Sequence, residues 1–328
     1  MIIHLFIIKN QSIMKKIMLL LVGLSLLSCS NNDGQENGVE DLASASHRNC
    51  PSEELLKEQL KNDPEWAANL AEIERQTEEF QLSKFKLVNG KIVIPVVVNV
   101  LYRTDAENIT DAQIQSQIDV LNKDFNALNS DFSNVPAAFN SLKANIGISF
   151  ELASIKRKYV NRSTWGTSNL MKTSTGLTPT SPTTHLNFWV CTIGGGILGY
   201  AQFPGGAAST DGVVVDSKYV GTTGTATAPF NLGRTATHEV GHWLNLRHIW
   251  GDATCGSDLV ADTPTHNTSN YGNPAYPHYS TCSGTPIEMT MNYMDYVNDN
   301  AMYMFTTGQK ARMLALFNAG SSRYSFAQ

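Results

Sequence analysis

The chain has 328 residues, 42% of them hydrophobic and 16% charged, which excludes a disordered tail and is enough to fill one large domain or two modest ones. With 24 Lys and Arg against 29 Asp and Glu, the formal charge is -5, and no stretch interleaves basic with aromatic residues. No nucleic-acid partner is expected.

Chain order begins with a segment unlike the rest. From Met14, MKKIMLLLVGLSLLSCS has a short basic start (Lys15, Lys16), an apolar run over Ile17 to Leu27, and Leu26-Leu27-Ser28-Cys29. The run is too short to span a bilayer, which takes about 20 apolar residues, but it suits a secretory signal over residues 1–28, with Met14 the candidate start. Its tail resembles a bacterial lipobox, in which the cysteine carries lipid; the alternative is an ordinary cleaved signal with an incidental Cys29. Export is the expectation, either to an outer-membrane or cell-surface anchorage held by lipid alone or as a protein secreted after processing.

Ser30 to Ser46 is polar and without apolar periodicity, as a flexible tether is. Residues 52–80 carry helix-start chemistry at Pro51-Ser52-Glu53-Glu54 and at Asp63-Pro64-Glu65, predicting two short helices. Residues 29–85 thus form a tether and a helical segment, and the main domain is expected over 86–328, with an upper part to about 248 and a lower part over 249–328. IVIPVVVNVLY, after Gly90, predicts a buried strand, and Pro95 hints that one edge of it lacks a ladder partner. Thr110 with Gln113 makes a capping box before a helical apolar repeat over 111–127. GISFELA, LNFWVCTI, LGYAQFP and DGVVVDS follow as short strands. This order argues for an α+β fold with a sheet beside a cleft.

Three of the eight histidines then fall within HEVGHWLNLRH, residues 238–248. On a helix, positions i and i+4 share a face, so His238 and His242 can offer nitrogens to one ion, with Glu239 beside it to hold a water. His248 comes back to the same ion only if the chain turns sharply. Asn245 is the non-glycine residue that best tolerates the left-handed conformation such a turn needs, so the helix should stop near it.

HEVGHWLNLRHIWGD together with MTMNYMDYVND at 289–299 resembles the metzincin metalloproteases, and within them the pappalysin family, especially its cytophagalysin branch. Asn245 in place of glycine is the departure from the general pattern. The resemblance implies a metzincin-like fold: a twisted mixed sheet, an active-site helix above a cleft, and a smaller irregular C-terminal part. It implies His238, His242 and His248 as zinc ligands, Glu239 as general base and acid, Met294 as the apolar floor of the Met-turn, and Tyr296 as a stabiliser of the oxyanion, or else a buried tyrosine hydrogen-bonded elsewhere. Three neutral imidazoles leave zinc a position for water, whose pKa falls to about 7. Glu239 would take that water's proton and hand it to the leaving amine of a protein or peptide substrate. LGYAQFP, 198–204, would be the edge strand on which the substrate lies.

Five cysteines read as separate jobs rather than a disulfide scaffold. Cys50 in HRNCPSEE resembles a pro-segment cysteine that keeps the enzyme latent by giving zinc a thiolate; a disulfide with Cys191 or an inert thiol are the alternatives. Cleavage between about Phe80 and Gly90 would then release activity. Cys255 and Cys282 flank a loop-rich stretch and are expected to pair, while Cys191, inside an apolar strand, should be a free thiol. Asp252, Asp258 and Asp262 suit calcium, which relatives bind nearby, or are solvated turn carboxylates. Asp299 lies in the segment that walls the specificity pocket in metzincins, where a carboxylate would favour Arg or Lys after the scissile bond. His266 and His278 read as isolated loop residues. Against the endopeptidase stand a surface-binding lipoprotein on a decayed protease scaffold, disfavoured because all four functional residues remain, and a metal carrier, disfavoured because no His-rich tract exists. Oligomeric state has no signal.

Overall fold

A computed structural model describes residues 45–82 and 92–327. The signal segment, Cys29, most of the tether and most of the expected processing stretch lie outside the described residues.

The first two elements are helices, α1 (Ser52–Asn62) and α2 (Pro64–Leu82), separated by Asp63, whose carboxylate accepts from the Trp66 amide at 2.9 Å and starts α2. Next comes β1 (Ile92–Tyr102), then α3 (Asp111–Phe125), capped by Thr110, whose hydroxyl accepts from the Gln113 amide. β2 (Ile148–Tyr159), β3 (Leu186–Cys191), β4 (Gly199–Ala201) and β5 (Val213–Asp216) complete one sheet in the order β2-β1-β3-β5-β4. β1 runs parallel to β2 and β3, and β3 to β5, whereas β4 is antiparallel and forms one edge. The β-branched density of β1 follows from this, because a parallel strand is covered on both faces. Pro95 pairs with β2 but precedes the β3 register, which starts at Val96, so β1 has a ladder on one side only at this residue.

α4 (Arg234–Trp243) is buried along its whole length and packs against α3, β4 and β5. Beyond it, residues 249–306 hold no strand among those described; isolated bridges, turns and the Cys255–Cys282 disulfide take the place of a sheet. α5 (Thr307–Ala315) opens on a reciprocal capping box between Thr306 and Gln309 and packs against α2. The main core joins α3, one sheet face, α4 and the Met-rich lower part through Val96, Phe125, Trp243, Met294 and Phe305. No helix of the described residues is long and apolar enough to cross a membrane.

Candidate active site

The C-terminal half of α4 carries the candidate ligands. His238 and His242 sit four residues apart on it, and the helix ends at Trp243. Asn245 follows with φ of 69°, the left-handed turn expected of it, and reverses the chain so that His248 returns. Nε2 of His242 lies 3.2 Å from Nε2 of His238 and 3.1 Å from that of His248. All three rings are fully buried.

The other nitrogen of each ring is already engaged. Nδ1 of His238 contacts the Tyr293 carbonyl at 2.7 Å, that of His242 the Leu246 carbonyl at 2.8 Å, and that of His248 the Asp252 carboxylate at 2.8 Å. An Nδ1–H donated outward leaves each Nε2 with a lone pair, and three lone pairs converging on one point suit a cation. Burial, then the neighbouring imidazoles, pull the His238 and His242 pKa values well below the ordinary histidine value, keeping both rings neutral. His248 also feels burial, but the hydrogen bond and charge of Asp252 outweigh it and raise its pKa. Together with the Cys50 sulfur, the ligand atoms lie within 4.8 Å of one another. This donor set fits zinc, which takes three protein nitrogens and one further ligand in a catalytic site.

Glu239 is buried beside the cluster, its pKa pushed up to about 7 by burial, against hydrogen bonds that lower it. Its Oε2 accepts from the Cys50 thiol and the Ser52 hydroxyl, both at 3.2 Å, while its buried Oε1 has no hydrogen-bond partner. Gly199 of β4 makes room for this side chain: a Cβ there would stand 3.0 Å from Glu239 Cγ and 2.9 Å from the Val214 carbonyl. Met294 lies under α4, so close that a Cβ on Gly241 would meet its sulfur at 2.5 Å. The Tyr296 hydroxyl donates to the Cys50 carbonyl at 2.6 Å and accepts from the Cys50 amide at 3.2 Å, with its ring centroid 4.9 Å from that of His248.

The N-terminal segment fills the cleft. Asn49 accepts from the Leu198 amide at 3.0 Å, and the Ser52 hydroxyl accepts from the Ala201 amide at 2.9 Å, so residues 49–52 run parallel to the β4 edge. Two residues before the cysteine, Arg48 enters a closed pocket under a Phe230 ring and pairs with Asp299 at 2.7 Å, both side chains buried. The second Asp299 oxygen accepts from the Leu232 and Arg234 amides. Asp299 is therefore the floor of a pocket that already holds a guanidinium. Arg48 and Ser52 had no role in the sequence analysis; their positions next to Cys50 in HRNCPS were the available signal.

Other expected residues divide. Cys255 and Cys282 are bonded to each other, and Cys191 is a buried free thiol, so Cys50 has no disulfide with it. The three loop aspartates do not converge. Asp252 orients His248, Asp258 accepts from Thr263 and the Val260 amide, and Asp262 accepts from the Thr306 hydroxyl and the Gly308 amide at the start of α5. Among the described residues, the group of His, Cys, Asp and Glu that could hold a metal does not include them. His266 and His278 are not isolated, which corrects the expectation. His278 contacts Glu288 at 2.9 Å, Asn270 donates to both Glu288 and Asp295, and buried His266 accepts from the Met289 amide.

Comparison with known proteins matches this geometry. The family model described as pregnancy-associated plasma protein-A, the pappalysin peptidase family, matches residues 189–318. An extracellular metalloprotease of Arthroderma benhamiae is 30% identical over 233 residues, 70% of this chain and 78% of the relative. One from Pyricularia oryzae is 34% identical over 215 residues, 64% and 68% of the two chains. Among solved structures, mature mirolysin of Tannerella forsythia in complex with a cleaved peptide superposes with a TM-score of 0.70 at 43% identity, covering 72% of this chain and 96% of that one. A mutant of Tannerella forsythia promirolysin gives 0.78 at 40% identity, covering 85% and 97%. With the metal-ligand cluster on its helix and turn, the matching fold, and relatives over most of its length, the chain belongs to the pappalysin family of metzincin metalloproteases.

Proposed function

We propose that the chain is an exported zinc endopeptidase made as a latent precursor, with Glu239 as its general base and Asp299 selecting a basic residue after the scissile bond. The observation that carries this reading is the convergence of three imidazole Nε2 atoms and the Cys50 sulfur next to buried Glu239. Zinc, when bound by His238, His242 and His248, supplies Lewis acidity that lowers the pKa of water to about 7 and polarises a carbonyl. The protein's own groups do the rest. Glu239, buried beside the cluster with one oxygen that makes no hydrogen bond, is placed to accept a proton and return it to the leaving amine. The Tyr296 hydroxyl, which now bridges the Cys50 backbone, is freed to donate to the developing oxyanion once that backbone leaves. The β4 edge, where the Leu198 and Ala201 amides now serve Asn49 and Ser52, is where the substrate backbone would lie once that segment leaves.

Latency follows from the same contacts. Cys50 closes the metal cluster, Ser52 occupies Glu239, and Arg48 fills the Asp299 pocket. The extracellular naming of the relatives and the superposition on a precursor both support export in this form. The alternative, a non-catalytic binding protein on the same scaffold, leaves a buried glutamate with an orphaned oxygen and no task.

The test compares the precursor from Ser30 onward with its Glu239→Ala and Cys50→Ala variants on quenched Arg-containing peptides, before and after limited proteolysis, with zinc assayed. The wild type should cut only after processing, and Cys50→Ala should cut before it. Glu239→Ala should retain zinc and lose roughly 10²–10⁴-fold in kcat. Zinc bound at one per chain with no cleavage after processing would favour the binding protein.

A further inference from the structure

The segment that blocks the cleft carries a second ionic contact, on the other side of Cys50 from Arg48. Glu53, 1% exposed, places Oε2 2.8 Å from Nη1 of Arg247, the residue just before the ligand His248. Its other oxygen is buried without a hydrogen-bond partner, so Arg247 is the ion-pair partner that holds this desolvated carboxylate. Arg247 also lies 4.0 Å from Glu74 and 5.8 Å from the Phe203 ring centroid, and Phe203 in turn packs on the ligand His242 at 5.3 Å. Both carboxylates that Arg247 meets belong to α1 and α2 of the N-terminal segment. Removal of that segment leaves the guanidinium without either of them, on the residue before His248 and near the Phe203 ring.

The two ionic contacts stand on opposite sides of the metal cluster. Asn49 lies against Leu198 and Ser52 against Ala201, so Arg48 and Glu53 leave the β4 edge at opposite ends, with the Cys50 sulfur between them. At one end the acidic group is Asp299, paired with Arg48; at the other the basic group is Arg247, paired with Glu53 near the Phe203 ring. We infer that Arg247 is a specificity-determining residue of the mature enzyme, a subsite for an acidic side chain within about three residues before the scissile bond. This rests on the assignment of the Asp299 pocket to the residue after the bond. The substrate class is then a peptide with an acidic residue before and a basic residue after the bond cut.

The test uses enzyme matured from the full precursor and quenched peptides that cross Glu, Gln or Lys at each of three positions before the bond with Arg or Ala after it. At one of those positions kcat/KM should run Glu above Gln above Lys, with about tenfold between the ends, the size of a partly exposed charge contact made in a shaped site. R247E should reverse that order, R247Q level it, and R247K preserve it. Each result is a ratio within one preparation, so general loss of activity does not imitate it, and if R247E yields no zinc-loaded enzyme the R247Q and R247K pair decides. A Glu to Lys ratio near one in the wild type, or one left unchanged by R247Q, would overturn the inference and mark Arg247 as a latch for the precursor only. The Arg to Ala contrast after the bond, and its loss in D299N, reads the Asp299 assignment separately.

Discussion

The two walls of the cleft reach the same metal cluster by different means. Above it, within residues 92–243, a five-stranded sheet, α3 and α4 position His238, Glu239 and His242 through helical period and strand register. Below it, residues 249–306 place Met294, Tyr296 and Asp299 with hardly any repeating backbone bonds. Buried side chains do that work instead, as Asp295 does in accepting from the Asn270 and Tyr296 amides, and a disulfide closes the loop. The upper wall gains its order cooperatively from hydrogen-bond ladders. The lower wall depends on individual groups, each of which leaves a buried polar atom unsatisfied when removed.

The comparison breaks most visibly at the disulfide. Cys255 and Cys282 are 27 residues apart in sequence, and replacing both with serine should cost roughly 3 kcal/mol in the chain-entropy model. Hydrogen exchange should show the loss concentrated in residues 255–299, with the strands keeping their protection; an even loss over both walls would refute the division.

A second prediction separates the walls by pH. Burial pushes the carboxyl of Asp258 in the lower wall up from 3.8 to about 7, and pulls the amine of Lys172 in the upper wall down from 10.5 to about 7. The native state therefore holds an extra proton on Asp258 between about pH 4 and 7, so stability from this group is full below pH 4 and is lost as pH rises through that window. For Lys172 the native state holds fewer protons between about pH 7 and 10.5, so stability is full above that window and is lost as pH falls through it. Each slope is at most about 1.4 kcal/mol per pH unit. Denaturant titrations across pH should show Asp258→Asn removing the loss of stability as pH rises from about 4 to 7, and Lys172→Met removing the loss as pH falls from about 10.5 to 7; a slope unchanged in either variant would contradict that assignment.

The smallest effect lies at the hinge between the walls. Asn245→Ala forces an ordinary side chain into φ of 69° and should lower the stability of the matured enzyme by about 1 kcal/mol, whereas Asn245→Gly should lower it less or raise it. Thermal unfolding with zinc bound would measure both, and an alanine variant as stable as the wild type would show that the turn carries no strain.

Much of the upper wall was legible because its signals are local. The β-branched run of β1, the Thr110 cap and the four-residue histidine spacing each depend on neighbours within one turn or one strand. The strand limits were less so: β2 runs on to Tyr159 and β4 shrinks to Gly199–Ala201, since ladder partners set where strands end. The lower wall was legible only as landmarks. Asp252, read as a calcium ligand or a turn carboxylate, contacts the His248 ring, because the donor a carboxylate meets depends on what folding brings to it. The network of His266, Asn270, Glu288 and Asp295 had no periodic signature at all.

By itself, then, the sequence determined the helix that carries His238, Glu239 and His242 and the turn at Asn245 that brings His248 back to them. Tertiary structure alone decided what faces them. Arg48 meets Asp299 across 251 positions, Glu239 meets Cys50 across 189, and Arg247 meets Glu53 across 194. Spacing along a helix is dictated by covalent geometry, but pairs this distant are fixed by how the whole core closes, and it is those pairs that hold the N-terminal segment against the cluster.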